Sequence, residues 1–171
     1  MLPADFTDTI DTWIKALEGY DLTQLCAKPS SGSWSLGQLY LHLIADTNYY
    51  IGQIKICMAT NDHMDEEASP TAKAMLLADA FPDAAIEGDP SNAAIPQPAG
   101  KEQLLDSLLA IKAEMHAIAL SIAGSFYKGK TKHPGLNYFS AGEWFQFAGM
   151  HFRHHLRQKK RIDDFLKKSS Y

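Results

Sequence analysis

Apolar residues recur at every third or fourth position in four segments of the chain, which predicts four helices. The first helix is expected from about Asp5 to Tyr20 and the third from about Lys101 to Ala123. The second follows Ser33, its predicted N-cap. The fourth begins near Ser140, where Glu143 completes a capping box, and is expected to continue unbroken toward the C-terminus. No segment shows sustained strand-like alternation, so the pattern predicts an all-α four-helix bundle.

A long connection, roughly residues 61–100, separates the second and third helices. It begins with acidic residues, later carries spaced prolines such as Pro90, and includes a predicted short helix around Thr71 to Ala80. Connections of this length are unusual in simple up-and-down bundles and indicate a crossover or a lid. Residues 124–139, between the third and fourth helices, are rich in Gly and Lys and are predicted to form a surface loop.

The composition is that of a globular protein and argues against nucleic-acid binding. The chain has 171 residues, 46% hydrophobic and 21% charged, which suits a single domain over residues 1–171. The net charge is −4, whereas a nucleic-acid binder usually carries a basic domain or stripe. Basic residues do gather near the C-terminus, where cations complement a helix end, with a polyanion site as the alternative. These residues are Arg157, Lys159, Lys160, Arg161, Lys167 and Lys168.

The sequence gives no sign of export, membrane insertion or disulfide bonding. The N-terminal residues lack a basic stretch followed by an apolar run, and no segment approaches the ~18 apolar residues of a membrane span. Cys26 and Cys57 have neither the spacing of a zinc knuckle nor that of a disulfide framework. The expected location is therefore a reducing cytoplasm.

Three histidines are the candidate metal ligands. On the fourth helix, His151 and His155 fall in the middle of the inward face, at the i, i+4 spacing that lets two imidazoles reach one ion. The alternative is that each ring is neutral and hydrogen-bonded to a backbone carbonyl or a tyrosine. His42 lies at the edge of the apolar stripe of the second helix. A third imidazole from this facing helix would complete a three-histidine site with open coordination positions.

The residues around these histidines have weaker indications. Asp46 follows His42 by one helical turn. It could orient His42, supply a fourth ligand to the metal, or lie at the solvent-exposed edge of the bundle. The orienting role and the edge position are favoured over direct ligation. Asp46 is also a weak candidate for a catalytic base, ahead of Glu143, which the capping box explains, and Tyr49, a bundle aromatic. His154 is rotated by about 60° from His151 and about 100° from His155, so it should not share their ion.

Two motifs carry a family resemblance. They are WSLGQLYLHL, from Trp34 to Leu43, and HFRHHLRQ, from His151 to Gln158, which follows an H-x-x-H-H-x-x-Q pattern. With the helix count and the long second connection, they resemble the DinB superfamily (DinB/YfiT-like putative metalloenzymes). The arginine-glycine pair that commonly precedes the Gln is replaced here by Leu156-Arg157. This departure weakens inference to any one characterised subgroup.

The resemblance implies a four-helix bundle, often dimeric, with a metal near one end. By motif position, it implies His42, His151 and His155 as the ligands and His154 as a histidine that is not a ligand. Relatives include transferases that use low-molecular-weight thiols. Superfamily membership alone does not define a reaction.

The predicted function follows from three neutral imidazoles with an open position. Such a site suits Zn²⁺ best, with Ni²⁺, Fe²⁺ and Mn²⁺ as alternatives. The ion could generate hydroxide for hydrolysis or bind a thiol as thiolate for transfer. We therefore expect a metal-dependent thiol transferase or hydrolase acting on a small molecule, with a homodimer as the expected assembly. The alternatives are a non-catalytic, stress-associated bundle with a structural metal or none, and a protein adaptor that uses residues 61–100.

Overall fold

The computed structural model describes residues 4–82 and 94–170, with side chains from residue 6 onward. Within these ranges the chain is mostly helical, with one small two-stranded sheet. The long connection therefore falls partly outside the described residues, including Pro90. In chain order the elements are α1 (Ala4–Leu17), α2 (Leu22–Cys26), α3 (Leu36–Cys57), α4 (Pro70–Ala78), α5 (Lys101–Ile122), β1 (Lys130–His133), β2 (Asn137–Ser140), α6 (Ala141–His154) and α7 (Leu156–Lys168).

The longest helices enclose one apolar core. Helix α3 contacts both α5 and α6, and α1 contacts the same two helices. The apolar stripes predicted from the sequence are the buried faces of α3 and α5. At the centre, Trp13 meets Tyr40 edge to face at 5.2 Å, and the Tyr40 hydroxyl donates a 2.8 Å hydrogen bond to the Trp13 carbonyl. This bond satisfies a hydroxyl that would be costly to bury without a partner.

Helix α3, which carries His42, begins two residues later than predicted. Its N-cap is Ser35, whose side chain accepts from the Gln38 amide while the Gln38 side chain accepts from the Ser35 amide. Ser33, the predicted cap, instead bonds back to Ser30 and closes the preceding turn. Both serines suit an N-cap, and the reciprocal partner three residues later favours Ser35.

The segments between the long helices contain more structure than the sequence predicted. Residues 124–139 were expected to be loop, but β1 and β2 pair there as an antiparallel hairpin, with Lys130 opposite Ser140. The short helix α2 was not predicted, although Asp21 and Gln24 form a capping box at its start. The predicted helix around residues 71–80 is confirmed as α4. Of the described helices, none has both the length and the apolar character needed to cross a bilayer.

The predicted fourth helix is two helices that meet at His155. The Ser140–Glu143 capping box that begins α6 is confirmed. The backbone at His155 has φ −80° and ψ −5°, and this residue separates α6 from α7. Its amide still donates to the His151 carbonyl at 3.3 Å, and its carbonyl accepts from the Lys159 amide at 2.9 Å. The interruption therefore leaves His155 about one turn beyond His151, on the same side of the chain.

Candidate metal centre

Three imidazole rings from separate parts of the chain converge in the structure. His42 comes from α3, His151 from α6, and His155 from the junction of α6 and α7. The Nε2 atom of His151 lies 3.1 Å from that of His42 and 3.0 Å from that of His155. One ring nitrogen of each residue lies within 4.8 Å of the others. The three residues singled out from the sequence thus form one cluster.

The spacing of these nitrogen atoms fits a shared transition-metal ion. With metal–nitrogen bonds of about 2.0–2.1 Å, two nitrogens 3.0–3.1 Å apart subtend roughly 95° at the ion. This angle lies between the octahedral and the tetrahedral values. These three imidazoles would hold such an ion and would leave coordination positions for further ligands, as in catalytic zinc sites.

Burial keeps two of these rings, His151 and His155, in the neutral form that binds a metal. His42 and His151 are each only 6% exposed. Burial lowers the pKa of His151 well below its usual value, and the nearby rings of His155, His42 and His154 lower it further. Burial also lowers the pKa of His155 to about 4, against the opposing effect of its hydrogen bond to Gln158. His151 and His155 are therefore neutral near pH 7, and neutral imidazole is the coordinating species.

The neighbours of the rings argue against three separately hydrogen-bonded histidines. Within the described part of the chain, the Nδ1 atom of His151 is buried without a hydrogen-bonding partner, so its ring is not bonded to a carbonyl or tyrosine. Its Nε2 atom faces the two other imidazoles. Aromatic rings surround the cluster. The ring centroid of Trp34 lies 4.9 Å from that of His42, and the centroids of Tyr50 and Phe81 lie 5.9 and 6.0 Å from that of His151.

Asp46 lies on the side of the cluster where the Nε2 atoms meet. Its Oδ2 atom is 3.6 Å from Nε2 of His42 and 3.8 Å from Nε2 of His151. A carboxylate that orients a ligand histidine contacts the ring nitrogen remote from the metal, which here would be Nδ1. Asp46 instead faces the space where an ion and its open coordination positions would lie. The Asp46 side chain is 36% exposed, so this space also borders solvent.

Gln158 is a further residue of the site, and sequence reasoning gave it no role. Its Oε1 atom lies 2.9 Å from Nδ1 of His155. The only sequence signal was its place in the H-x-x-H-H-x-x-Q motif, three residues after a ligand candidate.

The other residues considered from the sequence lie outside the cluster. His154 points toward Phe81, with ring centroids 5.0 Å apart, and contributes no atom to the converging set. Glu143 caps α6. Tyr49 packs against Trp144 at 5.9 Å. His133 also stacks on Trp144, at 5.4 Å, and burial lowers its pKa to about 4.

Comparison with protein families identifies the family of the chain. The sequence model of the DinB superfamily matches residues 5–158, which is most of the chain. The chain therefore belongs to the DinB superfamily. No curated protein matches it. Membership in this superfamily and the three-histidine cluster are together compatible with a metal-binding enzyme.

Proposed function

We propose that this protein is a metal-dependent enzyme that activates a nucleophile, a low-molecular-weight thiol or water, for attack on a small molecule. His42, His151 and His155 would hold the ion, with Zn²⁺ preferred and Ni²⁺, Fe²⁺ or Mn²⁺ as alternatives. One observation carries the proposal: three Nε2 atoms converge, and the Asp46 carboxylate faces the same space.

The donor set defines the kind of chemistry. A divalent ion held by three neutral imidazoles, with positions left open, supplies Lewis acidity that lowers the pKa of a coordinated water or thiol. Among the described residues, neither cysteine belongs to the converging group of ligand atoms, and Cys57 hydrogen-bonds instead to Thr131 and to the Phe139 carbonyl in the hairpin. The nucleophile is therefore proposed to come from the solution.

Asp46 is proposed to accept the proton that the nucleophile releases. Its Oδ2 atom lies within 4 Å of two of the three Nε2 atoms, and the side chain reaches solvent. A group in this place can take a proton inside the site and pass it to bulk water. General-base assistance of this kind contributes roughly 10²–10⁴-fold to a rate.

The surroundings divide the site into a closed side and an open side. Trp34, Tyr50 and Phe81 cover the buried rings, and such apolar walls strengthen the electrostatic interactions inside. Asp46 and His155 are both partly exposed, which leaves their side open to a small substrate.

The experiment compares the metal-loaded wild-type protein with two aspartate variants. The assays are thiol transfer to small electrophiles, with a panel of low-molecular-weight thiols, and hydrolysis of small esters and amides. Asp46→Asn is expected to keep the ion and to lower the turnover rate at least about 10-fold. Asp106→Asn, an exposed change on α5, serves as the control and is expected to retain the wild-type rate. Activity with thiols alone would identify a transferase, and activity without them a hydrolase.

The proposal fails if purified protein binds no stoichiometric metal and His151→Ala leaves its properties unchanged. The rival is a non-catalytic bundle with a structural metal or none. A chelator distinguishes the two roles of an ion: unfolding of the metal-free protein favours a structural ion, whereas a metal-free protein that stays folded and only melts at a lower temperature favours a catalytic one.

Two aspects of the assembly are also proposed. The long helices would form a four-helix bundle in which the connection between α3 and α5 is a crossover, supported by the contacts of α1 and α3 with both α5 and α6. The protein would be a homodimer, because Leu109 and Leu120 on the outer face of α5 are 46% and 71% exposed. Light scattering coupled to size-exclusion chromatography tests the dimer, and a monomeric mass at micromolar concentration would contradict it.

A further inference from the structure

His155 is the ligand candidate least constrained by packing. His42 and His151 are each 6% exposed and lie within helices, whereas His155 is half-buried and lies where α6 ends and α7 begins. A ring at a helix junction can rotate more freely than a ring enclosed in a core. The ring of His155 contacts those of His42, His151 and His154, and a hydrogen bond to its remaining ring nitrogen adds a directional constraint to this packing.

We propose that Gln158 is a positioning residue that sets the tautomer and the orientation of the His155 ring. Its Oε1 atom lies 2.9 Å from Nδ1 of His155. A carbonyl oxygen only accepts hydrogen bonds, so Nδ1 must carry the proton. A neutral imidazole carries a single proton, which leaves the lone pair on Nε2, the atom 3.0 Å from Nε2 of His151. The proposal rests on the proposed function in assigning these Nε2 atoms to a metal.

The backbone of Gln158 is itself anchored. Gln158 lies in the first turn of α7, and the next residue, Lys159, donates from its amide to the His155 carbonyl at 2.9 Å. The Lys159 ammonium donates to the Tyr20 hydroxyl at 2.9 Å and to Asp163 at 2.7 Å. This network ties α7 to the loop after α1. The amide of Gln158 therefore starts from a defined position when it reaches back to the imidazole.

An amide in this place differs chemically from the carboxylate that often orients a ligand histidine. A carboxylate acceptor raises the basicity of the ligand and stabilises positive charge on the ring. A neutral amide fixes the tautomer with less transfer of electron density to the metal. The ion would keep more of its Lewis acidity, which suits activation of a weak nucleophile.

The first test reads the tautomer directly in metal-free protein. Long-range ¹H–¹⁵N NMR of the histidine rings distinguishes protonated Nδ1 from protonated Nε2. We expect His155 in the wild-type protein to be the Nδ1–H form and expect Gln158→Leu to give a mixture of the two forms. The matched control, Gln146→Leu, removes another half-buried amide, one bonded to Leu76 and Asp79, and should leave His155 unchanged.

The second test measures zinc affinity by competition with a chromogenic chelator. Loss of an outer partner of a ligand histidine weakens metal binding by about 10–100-fold, so Gln158→Leu should show a loss in this range. Gln158→Glu should bind zinc at least as tightly as the wild-type protein, because a carboxylate is the stronger acceptor. Gln146→Leu should stay within about twofold, the spread expected of a substitution without a role in the site.

The proposal is overturned if wild-type His155 is the Nε2–H form, or if Gln158→Leu and Gln146→Leu weaken zinc binding equally. Failure of the proposed function looks different. In that case no variant binds zinc, while the change of tautomer between wild-type protein and Gln158→Leu is still observed and supports the role of Gln158. Gln158→Asn keeps the amide but shortens the side chain, so it should give the same mixture of His155 tautomers and the same loss of zinc affinity as Gln158→Leu. Agreement between the two variants shows that the effect does not come from a folding defect caused by leucine.

Discussion

Gly37 lies in the first turn of α3, where the chain has no room for a β-carbon. A Cβ atom built there would lie 2.5 and 2.7 Å from Cγ and Cδ of Pro98 and 2.8 Å from the carbonyl oxygen of Leu25. Carbon atoms pack at about 3.5–4.0 Å, so the neighbours would have to move by roughly 1 Å. A buried proline ring and a backbone carbonyl cannot rotate away as a flexible side chain can.

The expected effect of Gly37→Ala is a net loss of stability. Overpacking costs typically 1–3 kcal/mol, and the rigid neighbours here place the change near the upper end, at about 3 kcal/mol. Alanine recovers roughly 0.5–1 kcal/mol over glycine in a helix. The free energy of unfolding should therefore fall by about 2 kcal/mol. This matters for the site because Pro98 and Leu25 pack against the end of α3 that leads to His42.

Gly52 provides a matched control on the same helix. A Cβ atom added there meets nothing within 4 Å, so Gly52→Ala should raise the free energy of unfolding by roughly 0.5–1 kcal/mol. The assay is urea unfolding of metal-free protein, followed by circular dichroism, because a bound ion would add its own stabilisation. The reasoning is refuted if Gly37→Ala is as stable as Gly52→Ala.

Three further predictions concern pH, a polar network and a helix cap. Burial lowers the pKa of His133 in the folded protein to about 4, whereas the same imidazole in the unfolded chain takes up a proton near pH 6.5. Protonation therefore favours the unfolded chain, and the free energy of unfolding falls as the pH is lowered from about 6.5 to 4. His133→Phe should remove about 1–2 kcal/mol of that loss, a figure reduced for solvent screening at a half-buried ring. If the free energy of unfolding of the wild-type protein and of His133→Phe changed equally with pH, this prediction would be contradicted. Tyr20→Phe removes the hydrogen bonds to Asp163 and from Lys159, and should lower the free energy of unfolding by roughly 1–2 kcal/mol; an unchanged urea midpoint would show that the network is not stabilising. Ser140→Ala removes the N-cap of α6 and should cost about 1 kcal/mol in the same assay, with no loss counting against the cap.

The long helices could be predicted because each buries one continuous face. In α3 and α5 the apolar positions repeat over about six turns, a signal that local variation does not hide. The hairpin was missed because its two strands have four residues each, too short for an alternating pattern to be recognised. The break at His155 was missed because a single residue interrupts the helix and leaves the spacing of the flanking apolar positions almost intact.

The three histidines of the site were predictable from the sequence, but the geometry of the site and the contact of Gln158 were not. The i, i+4 spacing placed His151 and His155 together, and the position of His42 beside the apolar stripe of the second helix, together with the family motif, added the third ring from more than 100 residues away. One helical turn between His42 and Asp46 shows that they share a face, but it does not show which ring nitrogen the carboxylate meets. That depends on the rotamers of both side chains, which tertiary packing sets. The same applies to Gln158, whose role depends on which of its side-chain atoms faces the imidazole.

The central claim is that His42, His151 and His155 bind one metal ion together. Elemental analysis of protein purified without a histidine-rich tag tests it most directly, with His151→Ala as the loss variant and His154→Ala as the neighbouring control. We predict about one divalent transition-metal ion per chain in the wild-type protein and in His154→Ala, and a large loss in His151→Ala. A metal-free wild-type protein that stays metal-free after incubation with zinc, or equal metal content in both variants, would contradict the claim.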